Sequence, residues 1–246
     1  MWDANTNIFD WVNLTKKRKV LIKKLISYFN IPAKGVAIVI DNKCYENSDN
    51  PGWGCSKAIY MNIKDGGIEE MSPNPLLEIM HSKKYSHLVW ISGDVSKSEE
   101  IEFIWTLAHE LQHLKQDLTS IILSKAGNFL GNTLGNIETD EQKIDLLEPT
   151  ELDAELIAWR VTRNIFGNEI ANSYVLNNSK SGERKKSYQF LLSYDPEKRY
   201  DVIGNTIRLL KKYQNQLEIV QKKSEDSIIK RFNINEICLE LEKKLN

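Results

Sequence analysis

Apolar residues recur along this chain at two different spacings, and the change from one to the other organises it. Over residues 8–29, Ile8, Trp11, Val12, Leu14, Val20, Leu21, Leu25, Ile26 and Phe29 fall largely at helical spacing, and Asn30-Ile31-Pro32 closes the segment. This predicts one amphipathic helix or two short ones. Val36-Ala37-Ile38-Val39-Ile40 is a continuous apolar run between Gly35 and Asp41-Asn42, the pattern of a buried strand. Residues 58–63 and 87–92 read as two further strands, with turn-rich loops at 47–54 and 65–75.

After Ser98 the period becomes helical. A long helix is expected over 99–124, then a Gly/Asn-rich stretch at 127–136, then a helix from Thr150 and helical segments over 183–193, 196–223 and 233–245. Asp195-Pro196 suits an N-cap followed by proline at the first helical position. The class expected is α+β, a small mixed sheet packed on one long helix. Residues 1–175 are read as the core domain and 176–246 as a helical C-terminal extension.

Composition narrows the possible partners. The formal net charge of -1 gives no global field to recruit nucleic acid or an acidic membrane. Lys16, Lys17, Arg18, Lys19, Lys23 and Lys24 form a basic helix side that reads as solvated, and no nucleic-acid partner is expected. Cys44, Cys55 and Cys238 are spaced as neither a disulfide framework nor a metal knuckle. Residues 1–10 lack a basic and then apolar leader, and no apolar run approaches the roughly 20 residues that span a bilayer. A cytoplasmic location without membrane attachment is the expectation.

The chemistry concentrates in His109-Glu110-Leu111-Gln112-His113, an HExxH motif. Histidines four apart share one helix face, so two imidazoles reach one metal ion. Glu110, about 100° further round the helix, stands near a water on that ion as a catalytic base. Ile101, Phe103, Ile104, Leu107, Ala108, Leu111, Leu114 and Leu118 fill the opposite arc and predict a core-facing back. Glu102, Thr106 and Gln116 share the front with the two histidines.

A catalytic zinc ion takes a third protein ligand and keeps one position open. The extended motif HExxHxxGxxH is not met, because Gln116 and Thr119 stand where Gly and His are required. Cys55, in Gly54-Cys55-Ser56, is a weak upstream alternative that faintly resembles the cysteine motif of peptide deformylases. The stronger source is the segment from Glu148 to Trp159, where Thr150 is expected to cap a helix with Asp153 completing the cap. On its wheel Asp153, Arg160 and Asn164 form a solvent stripe, while Glu151 and Glu155 point inward. Buried carboxylates need a cation or a metal. Glu151 is taken as the third ligand and Glu155 as the acceptor of a ligand histidine's second ring N–H, with the two roles exchangeable.

His109 to His113 followed by Glu151-x-Asp153-Ala154-x-x-x-Ala158 resembles the zincin-type metallopeptidase domains of the ImmA/IrrE kind, in which HExxH is paired with a downstream E-x-E-A-N-x-F-A helix. Asp153, Glu155 and Ile157 depart from that pattern. The resemblance covers about sixty residues. It implies a zincin-like fold with a gluzincin-type third ligand at Glu151, a zinc cofactor and a protein or peptide substrate. No helix-turn-helix accompanies it here.

Together these residues point to a zinc-dependent peptidase or amide hydrolase. The competing class is a zincin-fold binding or regulatory module working through its C-terminal helices, against which the intact Glu110 speaks. The strand at 87–92 is expected to form a cleft edge to which a substrate peptide adds. His81 and His87 are candidates for oxyanion stabilisation by elimination alone.

Overall fold

The computed structural model describes residues 7–32, 34–43, 57–63, 74–82, 84–134, 137, 147–181, 185–224 and 227–245. Cys44, Cys55, the loop at 47–54 and most of the loop at 65–75 lie outside the described residues. The chain forms two compact units, Met1–Lys115 with Ile157–Asn172, and Gln116–Leu156 with Ser173–Asn246.

The first unit carries a four-stranded mixed sheet in the order β1-β2-β4-β3, made of β1 (Ile8–Asp10), β2 (Gly35–Ile40), β3 (Ala58–Asn62) and β4 (Tyr85–Ile91). β1, β2 and β4 run parallel, and β3 pairs antiparallel with β4. Strand β1 replaces the start of the helix expected over 8–29. Ile38 and Trp11 donate their N–H groups to the carbonyls of Asn7 and Ile40 at 2.9 and 3.0 Å, extending the parallel ladder at both ends. The chain then turns through Asn13, whose φ of 56° is left-handed, and Leu14 donates its N–H to Asp10 at 3.0 Å. Helix α1 (Lys16–Phe29) begins at the Thr15 cap and ends at Asn30, itself left-handed with φ 52°.

One sheet face packs Ala37, Val39, Met61, Leu88 and Trp90 against Leu76 and Ile79 of α2 (Asn74–His81), a helix that falls partly in the stretch read as a loop. The alternate residues Val36, Ile38, Ile40, Val89 and Ile91 are buried as well, so both faces are covered. The short α3 (Gly93–Lys97) follows β4 and leads into α4 (Glu100–Thr119), the helix bearing His109 and His113, against which the sheet packs.

β4 is not an edge strand. β2 and β3 flank it on both sides, and the outer position next to it belongs to β3. Arg18 of α1 donates to the carbonyls of Ser96 and Ser98 and lies over the Phe103 ring, Lys17 pairs with Glu100, and Lys19 pairs with Asp10. Half of the basic run on α1 is therefore engaged within the protein.

The helix expected over 99–124 is two helices. Ser120 accepts the N–H of Leu123 and caps α5 (Ile121–Thr133), which runs through most of the Gly/Asn-rich stretch. Leu118, placed on the core arc by the wheel, is exposed beside this break. Helix α6 (Pro149–Phe166) starts as expected, and α7 (Asn168–Asn178) follows after Gly167, whose φ is 90°.

In the second unit, α8 (Lys185–Ser193) is followed by α9 (Val202–Lys212), α10 (Gln214–Lys223), α11 (Ser227–Arg231) and α12 (Ile234–Glu242). The segment expected to run unbroken over 196–223 is thus divided. Pro196 lies in a turn, and the helix begins six residues later, where Asp201 accepts the N–H of Gly204. The core of this unit joins Leu123, Phe129 and Leu130 of α5 to Leu210, Leu217, Ile234, Cys238 and Leu241. The Phe129 and Phe232 rings stack within it at 3.9 Å. Among the described residues no helix is long and apolar enough to cross a membrane.

Candidate metal centre

His109 and His113 lie one turn apart on α4 with their Nε2 atoms 3.0 Å from each other and their rings edge to face. His109 is buried, at 1% exposure, and His113 half-buried. Glu151 on α6 completes a group in which one donor atom from each residue lies within 4.8 Å of the others, so the three could hold a metal ion.

The donor set fits such an ion. Two ligand nitrogens on a tetrahedral ion with bonds of about 2.0–2.1 Å sit roughly 3.3 Å apart. The observed approach of the two imidazoles is close to that value. A carboxylate supplies the charge that two neutral imidazoles lack.

The elements holding these side chains are specific. Glu100 and Glu102 occupy the first turn of α4, where the helix dipole favours negative charge. The N-terminus of α6 is capped by Glu148, one residue before Pro149. Its carboxylate accepts the N–H of Thr150 at 2.8 Å, the hydroxyl of Thr150 at 2.6 Å and the N–H of Glu151 at 2.6 Å. The expected cap at Thr150 is therefore displaced by two residues, and Pro149 takes the first helical position, where no N–H is missed. Burial pushes the Glu148 carboxyl above its ordinary range, while the Thr150 hydroxyl and the two backbone donors pull it back.

Gln116, one turn beyond His113, is buried and spends both amide hydrogens on α6: Nε2 donates to the Thr150 carbonyl at 3.0 Å and to Asp153 Oδ2 at 2.9 Å. This corrects the wheel reading of α6. Asp153 is buried and Glu151 exposed, because α4 covers the stripe assigned to solvent. Tyr200 lies in the same unit, and its phenol is held above the usual tyrosine range by burial and then by the Glu148 and Asp153 carboxylates, with Arg208 acting in the opposite direction.

Glu110 is buried beside His109 on α4. Glu155 is buried one turn after Glu151, at 1% exposure. His81 is exposed at the end of α2. His87 is half-buried, with Nδ1 3.0 Å from the Tyr60 hydroxyl of the neighbouring strand. Gln116 and Glu148 are the residues that sequence reasoning undervalued. The glutamate before a proline at a helix start was the available signal for the second, while nothing in spacing announces the first.

No family model matches the chain, and no solved structure matches it. The chain is 31% identical over 102 residues to a 3-dehydroquinate synthase from Alkaliphilus oremlandii, an alignment covering 41% of this chain and 27% of that protein. With about a quarter of that relative spanned, the likeness is one of a segment. The residues of the site define a candidate centre for one metal ion built from two histidines of one helix and a glutamate of another.

Proposed function

We propose that this chain is a zinc-dependent peptidase or amide hydrolase in which His109, His113 and Glu151 hold the ion and Glu110 is the catalytic base. The observation carrying this reading is the convergence of the three donor atoms across 38 residues of sequence, from the HExxH helix to the start of α6. Two imidazoles and one carboxylate are the donors that a catalytic zinc site uses, leaving a fourth position for solvent or substrate. When bound, zinc supplies Lewis acidity, polarising a carbonyl and making water more acidic.

The chain's own groups do the remainder. His109 and His113 bind as neutral imidazoles, each through Nε2. Glu110 accepts a proton from the water whose oxygen attacks the carbonyl carbon. As the C–N bond breaks, it delivers that proton to the leaving nitrogen. Burial of Glu110 keeps bulk water from competing for that proton. An extended peptide substrate is best accommodated along β3. It is the outer strand of the sheet order among the described residues, the position at which an added strand would pair.

The test is elemental analysis of the purified protein together with cleavage of a broad peptide library by the wild type and Glu110→Gln. Stoichiometric zinc in both proteins, with cleavage reduced about 10²- to 10⁴-fold in the variant, is expected from loss of a general base. Zinc retained without Glu110-dependent cleavage would turn the reading toward a binding module. Absence of any bound or bindable metal would end it.

A further inference from the structure

We infer that Gln116 is a positioning residue that selects Glu151, and not Glu155, as the third metal donor. This rests on the metal site proposed above. The two glutamates stand about one turn apart on α6, roughly 6 Å along its axis, so the register of α6 against α4 decides which of them meets the imidazoles. Gln116 sets that register. It projects from α4 one turn beyond His113, and its amide grips α6 at the Thr150 carbonyl and at Asp153 Oδ2, 3.0 and 2.9 Å away. These two points bracket Glu151 in the sequence.

Sliding α6 by a turn would break both hydrogen bonds that the buried Gln116 amide makes to it, and a buried amide that loses its acceptors is costly. The backbone before Glu151 is fixed from the other direction by Glu148, which accepts the N–H groups of both Thr150 and Glu151. The side chain of Glu151 is itself exposed, so what the protein organises in advance is its backbone position. The residue that occupies the glycine position of the extended HExxHxxGxxH motif is thus the one that brings a glutamate from another helix to serve where that motif uses a third histidine.

The experiment is a double-mutant cycle read as zinc affinity, by competition with a chromophoric chelator, on the full chain carrying Gln116→Met, Glu151→Ala or both. Gln116→Met is expected to weaken zinc binding about 10- to 100-fold, the range typical of groups that orient ligands. In the Glu151→Ala background the same substitution should change affinity less than threefold, because nothing remains for it to position. Equal losses in both backgrounds would assign Gln116 a merely structural role and overturn the inference, as would wild-type affinity in Gln116→Met. Gln116→Asn, polar but one methylene too short to reach both acceptors, serves the same cycle if the methionine variant does not fold. Failure of the wild type itself to bind zinc would instead overturn the proposed metal site.

Discussion

Gly127 and Gly131 sit one turn apart in α5, and the same substitution at each should have opposite effects. A Cβ on Gly131 meets nothing within 4 Å. Gly131→Ala should therefore add only helix propensity, about 0.5–1 kcal/mol of stability. A Cβ on Gly127 would lie 2.4 Å from Thr150 Oγ1 and 3.0 Å from Thr150 Cγ2. Rotating the threonine cannot relieve this, because its hydroxyl is tied to Glu148 at 2.6 Å and either branch re-enters the same space.

Overpacking of this kind costs about 1–3 kcal/mol, and the hydrogen bond from Thr150 to the buried Glu148 carboxyl is worth roughly 0.5–1.5 kcal/mol if it breaks. Against a propensity gain near 1 kcal/mol, Gly127→Ala is expected to be destabilised by about 1–3 kcal/mol. Urea unfolding followed by far-ultraviolet circular dichroism measures the difference, with unchanged m-values confirming that stability alone has moved. Thr150→Ser, which removes Cγ2, should recover part of the loss in Gly127→Ala. If Gly127→Ala were as stable as Gly131→Ala, the close packing of α5 on the start of α6 would be refuted. The anchoring of Glu151 described above would lose its support with it.

Other perturbations probe the remaining joints. Trp90→Phe removes the indole N–H that Trp90 donates to the buried Asp41 carboxylate at 3.0 Å; a loss of about 1–3 kcal/mol is expected for removing a donor to a buried carboxylate, read in thermal melts. Ser120→Ala strips the cap that separates α4 from α5 and should cost about 0.5–2 kcal/mol in the same assay. Zinc affinity should fall as pH is lowered, because imidazoles that take up protons cease to be ligands, and titration with a chelator across pH checks it. Chelation at neutral pH should abolish Glu110-dependent cleavage, with activity returning on addition of zinc. Activity that survives complete removal of metal would exclude the mechanism.

Much of this protein was legible in one dimension, wherever the determining interactions are local. The apolar runs at 36–40, 58–63 and 87–92 became β2, β3 and β4, and HExxH placed His109 and His113 on one helix face, because side-chain period alone fixes those outcomes. Ser120 and Glu148 also act locally, each capping the helix that follows it, although a hydrophobic wheel does not weigh caps.

The tertiary structure decided what depends on a partner distant in sequence. Ile8-Phe9-Asp10 has too few residues to declare itself a strand and becomes one only because β2 offers its edge. Asp153 reads as solvent-facing until Gln116, 37 residues earlier, covers it. β4 was expected to border a cleft and instead lies between β2 and β3, since strand order follows from long-range pairing that no periodicity encodes. The chemical identity of two candidate metal donors is thus a property of five consecutive residues. Bringing Glu151 to them depends on how α4 and α6 are held together, which is settled only by buried hydrogen bonds between segments far apart in the chain.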